Sequence, residues 1–219
     1  MNAASVVGRA ERKLCPLDHT VFLFSLFTPC LWPVLIYNSH VFVVQSLAQQ
    51  GDIETVKALL SGGNPAPVDS RDSVGQTALW GAAFVGDAAM CDLLLGAGAC
   101  VDGVNGEGVT PLLVAAQEGH LEVCKTLVRE GAGVDVADER GATPLFMAAG
   151  QGQEEVVRVL VEAGVDATDG AALFIGSQQG MVGVCKVLVE EGGVDVDVVV
   201  NGVTPLFVAA ARGHGEVCR

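Results

Sequence analysis

The chain has 219 residues, half of them apolar and only 5% aromatic, with a net charge of −14 and a pI near 4.5. That length holds one or two domains with a real core, and the apolar content excludes a wholly disordered chain. The acidic balance argues against a nucleic-acid-binding surface, because phosphates would be repelled.

The first 40 residues differ from the rest. Arg9, Arg12 and Lys13 stand there against Glu11 and Asp18, a net of +1, which leaves −15 for the remainder. The composition therefore divides the chain into an apolar N-terminal segment, 1–40, and a second region, 41–219. Within the first lies "VFLFSLFTPCLWPVLIY", Val21 to Tyr37, 17 residues without a charge. About 17 residues is the short limit for a helix that crosses a bilayer. Pro29 and Pro33 interrupt it, and no small-x-small cleavage site comes after it. Three readings stand: a signal-anchor helix, an apolar cap lying on the start of the second region, or translated non-coding sequence. The prolines favour the last two over a membrane anchor.

From residue 41 onward the chain repeats itself. Thr77, Thr110 and Thr143 are 33 residues apart, and Thr204 comes 61 residues later. A fixed period of 20–50 residues marks a solenoid or array. The units run in order: "SLAQQGDIETVKALLSGG", "GQTALWGAAFVGDAAMCDLLLGAGA", "GVTPLLVAAQEGHLEVCKTLVREGAGVD", "GATPLFMAAGQGQEEVVRVLVEAGVD", "AALFIGSQQGMVGVCKVLVEEGG" and "GVTPLFVAAARGHGEVCR". In the third, fourth and sixth units a polar turn precedes Thr-Pro; in the second it precedes Thr77-Ala78. The Thr hydroxyl suits a helix N-cap, and Pro suits the first helical position. Leu112, Ala115 and Ala116 recur at i, i+3, i+4 and predict one helical face. Gly119 breaks the chain; Val123, Leu127 and Val128 predict the apolar face of a second helix; Gly131 suits its C-terminus. Neither helix is long enough to stand alone, so stacking must bury their faces.

These residues resemble the ankyrin repeat: a 33-residue period with Thr-Pro-Leu, Ala-Ala, Gly-His, Val and Gly-Ala. The resemblance covers residues 41–219 in about six copies, the first degenerate, the fifth shortened and the last incomplete. It implies an all-α repeat solenoid of stacked helix-turn-helix units with projecting β-turn or hairpin fingers. Two departures matter. The His that comes after Thr-Pro-Leu in the family is replaced by Trp80, Leu113, Phe146, Phe174 and Phe207, which shifts the units toward apolar packing. The fifth unit has lost about five residues of its leading turn, so a gap or kink is expected in the row of fingers. The last copy stops at Cys218-Arg219, in the first turns of its second helix. The expectation is a fragment of a longer protein or an incompletely read gene.

No catalytic constellation emerges. Cys91, Cys124, Cys185 and Cys218 share one position on the second helix. Stacked helices lie about 8–10 Å apart, too far for a disulfide, so these are expected to be buried, reduced thiols. His120 and His214 share the place after Gly and read as part of the repeat. "DVDVD" near Asp195–Asp197 lacks the spacing of a calcium loop and reads as a repeat junction. No metal or other cofactor is expected, nor an enzyme activity.

The resemblance implies a protein-interaction scaffold whose partner binds the concave face and finger tips. The variable residues there are the turn positions Gly106, Glu107, Val109, Glu139, Arg140 and Ala142. The exits of the first helices add Phe84, Val85, Gln117, Glu118, Gly150, Gln151, Gln178 and Gln179. The negative charge points to another protein with a basic patch, in the cytoplasm or nucleus. Two alternatives stand beside it. One is the targeting or regulatory region of a larger enzyme or ubiquitin-ligase adaptor; the other is a membrane-anchored array tethered through Val21–Tyr37.

Overall fold

The computed structural model describes residues 46–61, 68–168 and 170–219. The 1–40 segment and the apolar run Val21–Tyr37 lie outside the described residues.

Residues 46–49 are helical and turn into α1 (Ile53–Leu60). Each later unit is a pair: α2 (Ala78–Val85) with α3 (Ala88–Gly96), α4 (Pro111–Glu118) with α5 (Leu121–Arg129), α6 (Pro144–Gln151) with α7 (Glu154–Glu162), and α8 (Ala171–Gln179) with α9 (Val182–Glu190). The last unit has α10 (Pro205–Arg212) and then a turn at 215–218. First helices pack on first helices, α2 through α10, and second helices on second helices, α1 through α9. The result is a two-layer all-α stack.

Local chemistry starts and stops each helix. Thr77, Thr110, Thr143 and Thr204 are the N-caps of α2, α4, α6 and α10. Their hydroxyl oxygens accept the N–H groups of Trp80, Leu113, Phe146 and Phe207 at 3.2, 3.1, 3.2 and 3.3 Å. Pro opens α4, α6 and α10, where no N–H is needed. Asp52 and Asp87 cap α1 and α3. Every first helix from α2 to α10 ends on a glycine in the left-handed region.

Burial follows the layers. Second helices are amphipathic; on α5, Val123, Cys124, Thr126 and Leu127 are buried, and Val128 packs against them. The α4 helix is buried on nearly every side, from Pro111 to Ala116, so its core face is wider than Leu112, Ala115 and Ala116 alone predicted. Leu112 and Leu145 are 0% and 2% exposed, whereas Leu206, at the same place in the last unit, is 55% exposed. A groove open to solvent runs beside it, bordered by Val182, Val189, Pro205 and Val217. Its walls are positions that other units use for stacking.

The aromatic and aliphatic substitutes for the family's His behave as packing groups in the interior. Trp80 and Leu113 are buried and Phe146 and Phe174 half-buried; Phe207 is exposed. The thiols need one correction. Cys91, Cys124 and Cys185 are buried and free as expected, but Cys218 is exposed, because 215–218 forms a turn and places no thiol in the helix layer.

Candidate functional site

Three side chains build the fingers. Asp72 Oδ1 accepts the N–H groups of Val74 and Gln76 at 2.9 and 2.8 Å. Asn105 does the same for Glu107 and Val109 at 2.9 and 3.0 Å, and Asp138 for Arg140 and Ala142 at 2.9 and 2.8 Å. Each loop is closed by main-chain bonds, as from Asn105 N–H to Val109 C=O at 3.1 Å. Short polar side chains are suited to this, since they hold a turn by bonding their own backbone two residues on. Adjacent fingers then join. Gly106 N–H donates to Val74 C=O at 3.1 Å, and Glu139 N–H to Glu107 C=O at 3.2 Å. The Arg71 guanidinium adds a bond from the second unit to Val104 C=O of the third.

Among the described residues, the row of finger bonds ends at Glu139 and has no counterpart at the fifth unit, whose leading turn is short. The chain passes from Thr168 to the α8 N-cap at Gly170, whose φ is +69° and which offers no side-chain cap. A Cβ at Gly170 would lie 2.4 Å from Val198 of the next unit, so that side chain fills the corner. The sixth finger is a tighter hairpin. Val200 and Val203 exchange main-chain bonds of 2.9 and 3.1 Å around Asn201 and Gly202, with φ of 53° and 79°. Two positive φ values in Asn-Gly mark the turn whose twist matches paired strands.

The expected site residues fall into two parallel rows. Fingers enter the N-termini of the first helices, and the other row lies at their C-termini, about 12 Å away for eight residues. Gly106, Glu107, Glu139 and Arg140 are exposed at finger tips. Val109 and Ala142 stand on the stems, half-buried, with their N–H groups engaged by Asn105 and Asp138. They are therefore stem rather than tip residues. At the helix exits, Phe84, Val85, Glu118, Gln151 and Gln179 are exposed; Gln117, Gly150 and Gln178 are half-buried. Gln117 Nε2 donates to Glu118 Oε1 at 3.1 Å. Phe84 stacks on Trp80, ring centres 5.6 Å apart and planes 6° from parallel. Trp80 Nε1 is buried without a hydrogen-bond partner among the described residues. The tip residues Ser73 and Val74 were missed in the sequence, although Asp72-x-x-Gly75 has the spacing of Asp138-x-x-Gly141.

The exits are fixed from behind. His120 Nε2 lies 3.0 Å from Phe84 C=O, and His214 Nε2 3.0 Å from Gln178 C=O. A carbonyl only accepts, so both rings carry their proton on Nε2 in these bonds. His120 precedes the second helix of its unit and His214 the turn at 215–218, and each holds the first-helix exit of the unit before. A second ladder joins the far loops. Asp69, Asp102 and Asp135 accept the N–H groups of Cys100, Gly133 and Asp166 at 2.8, 3.0 and 3.0 Å.

The remaining polar groups are structural. Burial pushes the Cys91 and Cys124 thiols up to about 12, Asp87 adding to the rise at Cys91, and burial also raises that of Cys185. Such thiols are poor nucleophiles. Asp195 Oδ1 accepts the Asp197 N–H at 2.9 Å, a junction turn. Among the described residues, no three His, Cys, Asp or Glu side chains converge to hold a metal ion. No helix among them is long and apolar enough to cross a membrane.

A family model described as ankyrin repeats (3 copies) matches residues 44–138, 82–171 and 116–200. No curated protein matches the chain.

Proposed function

Since this chain belongs to the ankyrin-repeat family, whose members are in general protein-interaction modules and typically non-catalytic, we propose that it is a scaffold that binds another protein across its finger tips and first-helix exits. The observation that supports this most is the division of labour along each unit. Thr caps, left-handed glycines, His bridges and Asp ladders all serve the stack. The tips and exits are held in register through their main chains, while their side chains take little part in those bonds. Variable side chains on a rigid, repeated frame are what a binding face requires. The acidic chain steers a basic partner, and association slows as salt rises. Three buried thiols favour the reducing cytoplasm or nucleus.

Photo-crosslinking tests the placement. Benzoylphenylalanine is installed at Gln117 on the exit row and, in a second protein, at Glu155 on the second-helix layer. A cellular partner crosslinked from position 117 and not from 155 supports the reading. Equal yields from the two positions, or a partner seen only from 155, would sink it.

A further inference from the structure

The two rows are not uniform along the stack, and their changes define a ligand. In the second unit the exit pair is Phe84 and Val85, 46% and 48% exposed, with the Trp80 ring stacked beneath Phe84. An apolar residue, Val74, is also exposed on that unit's finger, beside Ser73. One unit further the same places carry Glu118 at the exit and Glu107 at the tip. Beyond them the exits are amides, Gln151 and then Gln178 and Gln179.

The carboxylates differ in how they are neutralised. On the second-helix layer, Glu122 meets Lys125, Glu130 meets Arg129, and Glu154 and Glu191 both meet Arg158. Among the described residues Glu107 and Glu118 have no such cation, nor do Glu162 and Glu190 of the second-helix layer, but only Glu118, bonded by the Gln117 amide, lies on the exit row beside the Phe84 unit. The apolar platform of Phe84 and Val85 thus has Glu118 one unit along the same row, its charge open to a ligand, while Glu107 lies on the finger row about 12 Å away. A cluster of exposed apolar side chains is a candidate contact site, and aromatic side chains dominate the hot spots of interfaces.

Spacing sets the ligand's pattern. Neighbouring first helices are about 8–10 Å apart, and an extended chain advances about 3.3 Å per residue. One unit therefore corresponds to about three residues of extended peptide. We propose that the exit row binds an extended peptide segment of a partner protein. A bulky apolar side chain sits on Phe84 and Val85, and a Lys or Arg about three residues away pairs with Glu118. The amides of Gln151 and Gln178 are both donor and acceptor, so they can bond the peptide's own main chain as it continues. This rests on the interaction reading above and specifies the chemistry of the partner.

The probe is a phage-displayed library of random linear nonapeptides, panned on the full chain. The expected enriched set shares a Leu, Ile, Phe or Trp with a Lys or Arg two to four positions away. A synthetic member of that set should lose at least about tenfold in affinity with Phe84→Ser and with Glu118→Lys, the size of a hot-spot effect. Glu155→Lys should leave it unchanged. Both test positions are exposed, and matching thermal melts show that each variant is folded. In a Trp32→Phe background, binding should also shift the emission of Trp80, the remaining tryptophan. Re-panning on Glu118→Lys should exchange the basic residue for Asp or Glu. A set of different chemistry that still depends on Phe84 and Glu118 overturns the peptide class but leaves the binding face standing. Peptides indifferent to both substitutions, or no enrichment, overturn this inference; the crosslinking result then decides separately whether the scaffold reading survives.

Discussion

Replacing Gly86 by alanine puts a methyl group where a neighbouring unit has placed a ring. A Cβ there would lie 2.6 Å from Nδ1 and 2.7 Å from Cε1 of His120. Gly86 also sits at φ +86°, and a left-handed residue with a Cβ costs about 1–2 kcal/mol. The ring has to move, which removes its 3.0 Å bond to Phe84 C=O, worth about 0.5–1.5 kcal/mol. Together the loss is about 1.5–3.5 kcal/mol. Gly131 supplies the control: its φ is +87°, and a Cβ there would meet nothing within 4 Å. Gly131→Ala should therefore cost only the backbone part, about 1–2 kcal/mol. The measurement is urea unfolding monitored by circular dichroism, on both variants and on each combined with His120→Ala. Without the ring, Gly86→Ala should cost no more than Gly131→Ala. If the two glycines cost the same in the presence of His120, and its removal changes neither, the seat between units contributes nothing and the reasoning fails.

Leu112→Ala should cost about 2–5 kcal/mol, as for a fully buried leucine, while Glu107→Ala stays within about 0.5 kcal/mol; equal losses in chemical denaturation would overturn the division between core and tip. Thr110→Ala removes the buried N-cap of α4 and should cost about 1 kcal/mol, with Thr110→Ser recovering most of it by the same assay. The thiols give a pH prediction. Folding raises Cys91 and Cys124 from 9.0 to about 12, so the folded state favours the neutral form. Their contribution is complete below pH 9 and is lost as pH rises toward about 12. Thermal melts of the Cys91→Val, Cys124→Val protein should show a shallower alkaline decline than the parent, and identical declines would refute the assignment.

The unit itself was legible because its signals are local. Thr at an N-cap, Pro behind it and Gly at a left-handed C-terminus each act within a few residues, and their recurrence at 33 gives the stack directly. The tip and exit positions were the ones the framework left over. The bonds that join one unit to the next were harder to read. The Asp ladder spans 31 residues and the His bridge 36, so neither shows at the period of the sequence. The repeated Val-Asp of Asp69, Asp102 and Asp135 was the available signal for the first. Its meaning depends on the offset between stacked loops, which packing decides. Val109 and Ala142 looked variable and therefore exposed, yet the Asx bonds pull their main chain into the stem. The Trp80–Phe84 stack was equally hidden, although i, i+4 spacing on one helix permits it.

The end of the finger bonds at Glu139 bears on how the array comes apart. Among the described residues, the finger bonds run only from Val74 to Glu139, and the last rung of the Asp ladder is Asp135 to Asp166. In a one-dimensional array the length that melts as one block is set by nearest-neighbour coupling. Up to Glu139 the finger bonds, and up to Asp166 the Asp side-chain ladder, supplement helix packing. Past it, the sixth unit is held by packing, Val198 and the His214 bridge. Heating should therefore loosen the part past Asp166, α10 included, before the block from α2 to α7.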